Sequence, residues 1–171
     1  MKNEMKTKIT ALLLLIVACL SVFSCSEEPE TFIEGDFKYT LLSDGTYSVG
    51  AADKENLPAE ITLPTAYNGA AVSAITGGGF GWCATLEKVT VPEGFTEIPS
   101  TAFYECTALT EIYLPSSLTY INGMTFCKSG ENDELTIRYN GSKLDWAKLK
   151  KNDKWDYKVD VTVICNNGTI S

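Results

Sequence analysis

The chain has 171 residues, of which 44% are hydrophobic and 21% are charged, a composition typical of a globular protein with one modest domain or two small ones. Its formal net charge of −8 argues against nucleic acid as a partner, because phosphate binding needs a basic surface. The sequence contains no histidine, which removes the commonest general base, the commonest metal ligand and the usual partner of a serine or cysteine nucleophile.

The first 24 residues have the pattern of an export signal. Three lysines precede an apolar run from Ile9 to Phe23 that only Thr10 and Ser21 interrupt. A run of about 15 residues is too short for a membrane span, which takes roughly 20, and its flanks are those of a secretory signal. A buried N-terminal helix is the alternative, but no polar residues alternate through the run. We interpret residues 1–24 as a signal peptide, whose removal leaves 11 basic and 21 acidic residues and a net charge of −10.

The residues around the expected cleavage site, "VFSC", resemble the lipobox of bacterial lipoproteins. This resemblance implies that Cys25 becomes the first mature residue and carries a lipid on its sulfur. "IVAC", which ends at Cys19, also fits, but cleavage there would leave the apolar "LSVF" on the mature protein. The acidic "SEEPE" after Cys25 is similar to the signal that some gut and oral Gram-negative bacteria use to send lipoproteins to the outer face of the outer membrane. We expect residues 25–35 to form an acidic tether at the cell surface.

A β-hairpin is predicted next. The segment "FKYTLLSDGTYSVG" alternates apolar and polar residues on both sides of Asp44-Gly45, which is the strongest short hairpin signal. We assign residues 36–56 to an N-terminal cap, because the open end of a repeat array would otherwise expose apolar surface and strand edges.

Residues 57–139 contain an internal repeat with a period of about 23 residues. Phe80, Phe103 and Phe126 are 23 positions apart. Other apolar residues recur at fixed offsets from them: Cys83 and Cys106; Leu86 and Leu109; Val89, Ile112 and Leu135; Val91, Leu114 and Ile137; Pro92 and Pro115; Ile98 and Ile121; with Ile61, Leu63, Pro64 and Ile75 in an earlier copy that has five extra residues around Asn68-Gly69. A fixed period between 20 and 30 residues is typical of a solenoid.

Each repeat contributes a short strand. In "KVTVP" and "EIYLP" the apolar residues fall two apart and point into the core, and the proline ends the strand. The predicted fold is therefore a mostly β, α/β-type repeat in which stacked coils share one core. The predicted outward positions on the strands are Lys88, Thr90, Glu111, Tyr113, Glu134 and Thr136, and Trp82 and Tyr104 fall in the turns.

Residues 140–171 are predicted to cap the other end with a helix and a strand. Leu144, Ala147 and Leu149 lie near helical spacing after Ser142, a possible N-cap, and "VDVTVIC" alternates as a last strand. Trp146 and Trp155 are expected in the core of this cap, with ligand stacking as the alternative.

The cysteines leave two alternatives open. Cys83 and Cys106 should stack in adjacent coils, either as a disulfide formed in an oxidising compartment or as buried thiols. Cys127 and Cys165 could also pair, but the sequence does not fix connectivity. No metal site is expected, since the domain has neither histidine nor a close cysteine pair.

The segment "FYECTALTEIYLPSSLTYI", with its 23-residue period, closely resembles the BspA-like leucine-rich repeats of bacterial surface proteins. The resemblance covers about residues 57–139, and it implies a short leucine-rich-repeat solenoid with a hairpin before it and a terminal unit after it. The third copy departs from the pattern, because Cys127 directly follows Phe126 and "SGENDE" replaces the expected leucine. We expect the last full turn to be distorted.

The resemblance implies binding rather than catalysis, without a cofactor. Proteins of this kind include adhesins, so the leading hypothesis is a monomeric surface lipoprotein that binds an extracellular protein through the strand positions, Trp82 and Tyr104. The alternative is a glycan-binding accessory of a surface uptake system. A third hypothesis, an enzyme with Glu131, Asp133 and Glu134 as catalytic carboxylates, has little support, because these acids are typical of a solvated turn.

Overall fold

A computed structural model describes residues 28–130 and 134–170. The predicted signal peptide, the lipidation candidates Cys19 and Cys25, and the acids Glu131 and Asp133 lie outside these residues. Within the two described stretches, no helix has the length and apolar character that a membrane span requires.

The described residues form fourteen strands and one short helix, and the bounds of these elements follow in chain order. They are β1 (Thr31–Glu34), β2 (Phe37–Leu41), β3 (Tyr47–Ala51), β4 (Glu60–Thr62), β5 (Ala66–Tyr67), β6 (Ala70–Ile75), β7 (Lys88–Thr90), β8 (Glu97–Ile98), β9 (Glu111–Leu114), β10 (Tyr120–Ile121), β11 (Glu134–Tyr139), α1 (Lys143–Lys148), β12 (Lys150–Lys151), β13 (Asp160–Cys165) and β14 (Gly168–Ile170).

The repeats build a solenoid with two parallel sheets. The larger sheet has the order β14-β13-β11-β9-β7-β4, in which the strands β4 to β13 are parallel and β14 is antiparallel to β13. The smaller sheet, β12-β10-β8, is also parallel. The three middle coils, which contain β7, β9 and β11, therefore supply one strand to each sheet, and the predicted mostly β leucine-rich-repeat solenoid is confirmed.

A stack of aromatic rings runs along the solenoid axis. Phe80 and Phe103 lie 5.6 Å apart between ring centroids, Phe103 and Phe126 lie 5.8 Å apart, and all three side chains are fully buried. Phe37 of β2 closes one end of the stack edge-on at 6.5 Å, and Trp155 closes the other end at 6.0 Å. Because no coil can bury its own ring alone, each coil depends on its neighbours for its core.

The register of β11 differs from the predicted one. Ile137 pairs with Ile112, and Tyr139 pairs with Leu114, so the predicted partners Leu135 and Ile137 are displaced by two residues. Ile137 follows Phe126 by 11 residues, whereas Ile112 follows Phe103 by nine, so the paired residues of β11 lie two positions later than the period of 23 predicts. A shift of two keeps apolar residues facing the core, which is why alternation alone did not reveal it.

The N-terminal cap supplies β1, β2 and β3 to a five-stranded sheet with the order β1-β2-β3-β6-β5, in which β5 and β6 belong to the first coil. The predicted hairpin is present between β2 and β3, where the Asp44 carboxylate accepts hydrogen bonds from the backbone N–H and hydroxyl of Thr46. Within the predicted tether at residues 25–35, Thr31–Glu34 forms β1 and pairs with β2. The cap joins the solenoid through parallel pairing of β3 with β6.

The C-terminal cap contains the predicted helix and strand. Ser142 is the N-cap of α1, and its hydroxyl and the Asp145 carboxylate form a capping box. Around α1 the buried side chains are Trp146 and Leu149, whereas Leu144 and Ala147 are exposed, so the face expected from apolar spacing was wrong for those two residues. Trp146 is buried and its ring centroid lies 5.9 Å from that of the half-buried Trp155, which confirms that both tryptophans belong to the cap core.

Candidate functional site

The predicted site residues lie in two regions of the surface. We call the outward side of β4, β7, β9 and β11 the sheet face; it carries Lys88, Thr90, Glu111, Tyr113, Glu134 and Thr136. We call the group formed by Lys54, Trp82, Tyr104, Glu105 and Lys128 the corner patch, because its members meet where the coils turn.

Opposite charges alternate across the sheet face. The ammonium nitrogen of Lys88 lies 3.2 Å from a carboxylate oxygen of Glu60 and 3.9 Å from one of Glu111. Arg138 contacts the other carboxylate oxygen of Glu111. The charges of this face are therefore largely neutralised by their neighbours, which leaves few of them free to attract a ligand.

Glu111 is the centre of this network. Its side chain is only 16% exposed, it accepts a hydrogen bond of 3.1 Å from the Tyr113 hydroxyl, and the Arg138 guanidinium lies 5.8 Å from the Tyr113 ring. Partial burial works to raise the pKa of Glu111, but the bonds from Arg138 and Tyr113 outweigh it, and the pKa lies below its ordinary value. Glu111 is therefore a carboxylate that holds Tyr113 and Arg138 in fixed positions.

The corrected register changes the composition of the sheet face. Thr136 is half-buried beside Glu111, Arg138 stands beside Tyr113, and the exposed Glu134 pairs with Asp160 instead of joining the charge network. Sequence reasoning missed Arg138 for this reason. The alternation in "ELTIRY" fits either register equally well, so the sequence carries no signal that would have placed Arg138 beside Tyr113.

A groove of about 440 Å³ lies at the C-terminal ends of β7, β9, β11 and β13, and we call it the strand-end groove. Two predicted residues, Thr90 and Tyr113, line it. The residues that sequence reasoning did not place there are Val91, Pro92, Glu93, Leu114, Pro115, Arg138, Tyr139, Asn140, Ile164, Cys165 and Asn166. The groove thus combines apolar walls with polar groups at its rim, which is typical of a binding site.

Glu93 fixes one wall of this groove. Its carboxylate accepts hydrogen bonds from the backbone N–H groups of Ser116 and Ser117 at 2.9 and 3.0 Å, and from the Asn140 side chain at 2.8 Å. The backbone bond from Ser116 is the largest of the effects that lower the pKa of Glu93 to about 2. Three successive coils are joined through this one side chain, so the wall is held rigidly.

The corner patch presents an exposed aromatic pair. Trp82 is 55% exposed, and its ring lies 5.3 Å from that of Tyr104. Lys54 lies 5.3 Å from the centre of the Trp82 ring, and Lys128 lies 6.0 Å from that of Tyr104. Lys128 also forms an ion pair of 2.9 Å with Glu105. Trp82 is therefore the most accessible of the predicted site residues that carry an aromatic ring.

The backbone at this corner is left-handed in every coil. The φ angles are 64° at Trp82, 53° at Glu105, 56° at Lys128 and 62° at Lys158. The first three donate backbone hydrogen bonds to the carbonyl groups of Tyr104, Cys127 and Tyr157 in the next coil. The left-handed turn is thus a repeated feature of the solenoid, adopted here by residues other than glycine.

The described cysteines, Cys83, Cys106, Cys127 and Cys165, are free and buried thiols. Of the two alternatives for Cys83 and Cys106, the structure has the thiols, and burial raises their pKa values to about 11 and about 12. The Cys106 thiol donates to the Phe80 carbonyl at 2.9 Å, and the Ser129 hydroxyl donates in the same way to the Phe103 carbonyl. Ser129, not Cys127, continues this column.

The acids suggested for catalysis do not form a site in the residues that the structure describes. Glu134 is exposed, and Glu131 and Asp133 lie outside the described residues. Across residues 28–130 and 134–170, no three Cys, Asp or Glu side chains gather into a group that could hold a metal ion.

Comparisons with known proteins agree with this architecture. The BspA type Leucine rich repeat region matches residues 59–153 in six copies, which is more than half of the chain. No curated protein matches the chain.

Two solved structures are similar to the chain. A leucine-rich repeat protein from Bacteroides ovatus has 21% identity and a TM-score of 0.51, over 64% of this chain and 37% of that one. A leucine rich cell surface protein from Faecalibacterium prausnitzii has 18% identity and a TM-score of 0.37, over 72% of this chain and 43% of that one. The chain thus spans well under half the length of either protein. From its matched repeats and its coil geometry, the chain belongs to the BspA-type leucine-rich repeat family.

Proposed function

We propose that the protein is a lipid-anchored binding module of the cell surface, and that it binds an extracellular protein in the strand-end groove. The observation that carries the proposal is the groove itself, about 440 Å³ in volume, where the ring of Tyr113, the prolines Pro92 and Pro115 and the cation of Arg138 meet. Tyrosine and arginine are enriched among the residues that dominate protein–protein affinity.

The rest of the sheet face is a poorer site. Glu60, Lys88 and Glu111 already neutralise one another, so a ligand would have to break an ion pair to use them. In the groove, Arg138 keeps donors free beyond its contact with Glu111, and Asn166 adds an exposed amide at the rim. An extended peptide segment of a partner could lie against the prolines and bond to these groups.

The carboxylates near the groove are suited to a binding site and not to catalysis. Glu93 accepts four hydrogen bonds, and Glu111 is held by Arg138 and Tyr113. A general acid or base must be able to exchange a proton with a substrate near neutral pH. The lowered pKa values of both groups make them unsuitable for that role.

The N-terminal sequence supports the part of the proposal that places the protein at the cell surface. A lipid on Cys25 would anchor the chain to the outer membrane, and the acidic residues that follow favour export to its outer face. A single small groove gives weak contact, so we expect the monomers to act together on a multivalent partner.

Immobilised matrix proteins, namely collagen, laminin and fibronectin, are the probes for this proposal. Biolayer interferometry with the purified protein should detect binding to at least one of them, and Tyr113→Ala and Arg138→Gln should each weaken it at least tenfold. Tyr157→Ala is the matched control, because Tyr157 is an exposed tyrosine beside a lysine on the C-terminal cap, outside the groove. Binding that survives both groove substitutions in folded protein would overturn the proposal, as would the absence of binding to all three probes.

A further inference from the structure

A second cleft, of about 400 Å³, lies where the N-terminal sheet meets the first coil, far along the chain from the strand-end groove. Its side chains are Lys38, Thr40 and Lys54, and the backbone of residues 50–52 and 76–79 forms its walls. The volume is within the range of small-ligand sites in proteins.

Glycines make the wall of this cleft a bare backbone surface. A Cβ atom on Gly79 would lie 2.8 Å from the Thr76 carbonyl oxygen and 3.1 Å from the Gly50 Cα atom, so only glycine allows this approach of the first coil to β3. Gly78 has a φ angle of 64° and also lines the cleft. A flat wall of this kind gives a sugar ring room to lie against it.

The cleft is positively charged although the chain is acidic. In the part of the chain that the structure describes, neither Lys38 nor Lys54 takes part in an ion pair. Lys54 donates one hydrogen bond of 2.8 Å to the Gly78 carbonyl, which fixes its position and leaves two of its three N–H donors free. The neighbouring Asp53 carboxylate is engaged in its own turn by Glu55 and Asn56.

Trp82 lies next to Lys54, one of the side chains that line this cleft. It follows the glycine wall in sequence, and Lys54, which lines the cleft, lies 5.3 Å from the centre of its ring. Trp82 is 55% exposed although it is a large aromatic residue. The corresponding positions of the next three coils are charged, namely Glu105, Lys128 and Lys158. An exposed aromatic side chain where the other coils carry a charged residue is a reason to look for function.

We propose that this cleft binds an acidic saccharide, a pyranose that carries a carboxylate. The free donors of Lys38 and Lys54 would take the carboxylate, and the indole of Trp82 would lie against the apolar C–H face of the ring. A neutral sugar would leave the charges of the two lysines without a counter-charge, and a small inorganic anion would leave the indole uncovered, so the combination favours a ligand with both features. This site is separate from the strand-end groove and extends the proposed function to a second ligand.

Three probes separate the possible ligands: methyl β-D-glucuronide, methyl β-D-glucoside and inorganic phosphate. Isothermal titration calorimetry with the purified protein should show the glucuronide binding at least tenfold more tightly than the glucoside. Inorganic phosphate at a concentration comparable to that of the glucuronide should leave the bound glucuronide largely in place. Equal affinity for the two sugars would overturn the proposal, and so would full displacement by phosphate at comparable concentration, which would indicate a simple anion site.

Substitutions inside and outside the cleft test where the glucuronide binds. Lys54→Met and Trp82→Asn should each weaken glucuronide binding at least tenfold, and asparagine suits the left-handed backbone at position 82, so that variant should fold. Tyr157→Ala and Lys148→Met, an exposed aromatic residue and an exposed lysine outside the cleft, should not change it. Unchanged affinity of folded Trp82→Asn would overturn the proposal. The two proposals can fail independently, because Tyr113 and Arg138 do not line this cleft.

Discussion

Glu93→Gln is predicted to weaken the contacts between three successive coils. One carboxylate accepts from the backbone N–H groups of Ser116 and Ser117, from the Ser116 hydroxyl and from the Asn140 amide, and these bonds join three successive coils. Glu93→Gln removes the charge and turns one acceptor into an N–H₂ group that faces donors. The substitution therefore weakens contacts between coils without opening a cavity.

The magnitude follows from the hydrogen bonds. A bond to a charged group contributes about 1.5–3 kcal/mol where water is excluded, but Glu93 is exposed, so solvent screening reduces the combined effect to about 1–2 kcal/mol. The pKa of Glu93 is lowered from 4.5 to about 2, chiefly by the backbone bond from Ser116. For a carboxylate whose pKa is lower in the folded state, the stabilisation is complete above pH 4.5 and is lost as the pH falls towards 2.

Urea unfolding at pH 7 and at pH 2 measures this effect. The native protein should be about 1–2 kcal/mol more stable than Glu93→Gln at pH 7, and the difference should shrink at pH 2. Glu87→Gln, which removes another exposed carboxylate of the same coil, is the matched control and should change the stability at pH 7 by less than about 0.5 kcal/mol. A difference that is equal at both pH values, or no difference at pH 7, would refute the reasoning.

Two further substitutions and one thiol reagent test the packing and the backbone of the coils. Phe103→Ala should lower the free energy of unfolding by about 3–5 kcal/mol, because Phe103 is fully buried between two rings; a loss below about 1 kcal/mol in urea unfolding would contradict the stacked core. Thr101→Gly should raise the free energy of unfolding by about 1 kcal/mol, since Thr101 has a φ angle of 57° and Gly78 occupies the equivalent place one coil earlier; a lower melting temperature would count against this. Cys83 and Cys106, with pKa values of about 11 and about 12, should resist Ellman's reagent at pH 8 in the folded protein and react once urea unfolds it; rapid reaction without urea would disprove their burial.

The repeating coil could be predicted from the sequence alone, because its core residues recur at a constant spacing along the chain. Phe80, Phe103 and Phe126 repeat at a constant spacing, so the stacking of one ring on the next follows from the period alone. The hairpin at Asp44-Gly45 and the N-cap at Ser142 also depend on residues close in sequence. These elements were predicted correctly for that reason.

The candidate site was harder to predict because it depends on register and on distant neighbours. Arg138 reaches Glu111 and Tyr113 only after a two-residue shift, to which an alternating pattern is insensitive. The partners of Glu93 come from two later coils. The cleft at Lys38 and Lys54 arises from the contact of the cap with the first coil, which no motif in the sequence marks.

Protease shaving of intact cells tests most directly the central claim that the protein acts as a tethered binding module outside the cell. Cells with the native protein are compared with cells carrying Cys25→Ala, each before and after lysis, and the domain is followed by immunoblotting. The account predicts that the native domain is degraded on intact cells, and that Cys25→Ala is no longer retained in the membrane fraction. Degradation of the native domain only after lysis would contradict the account.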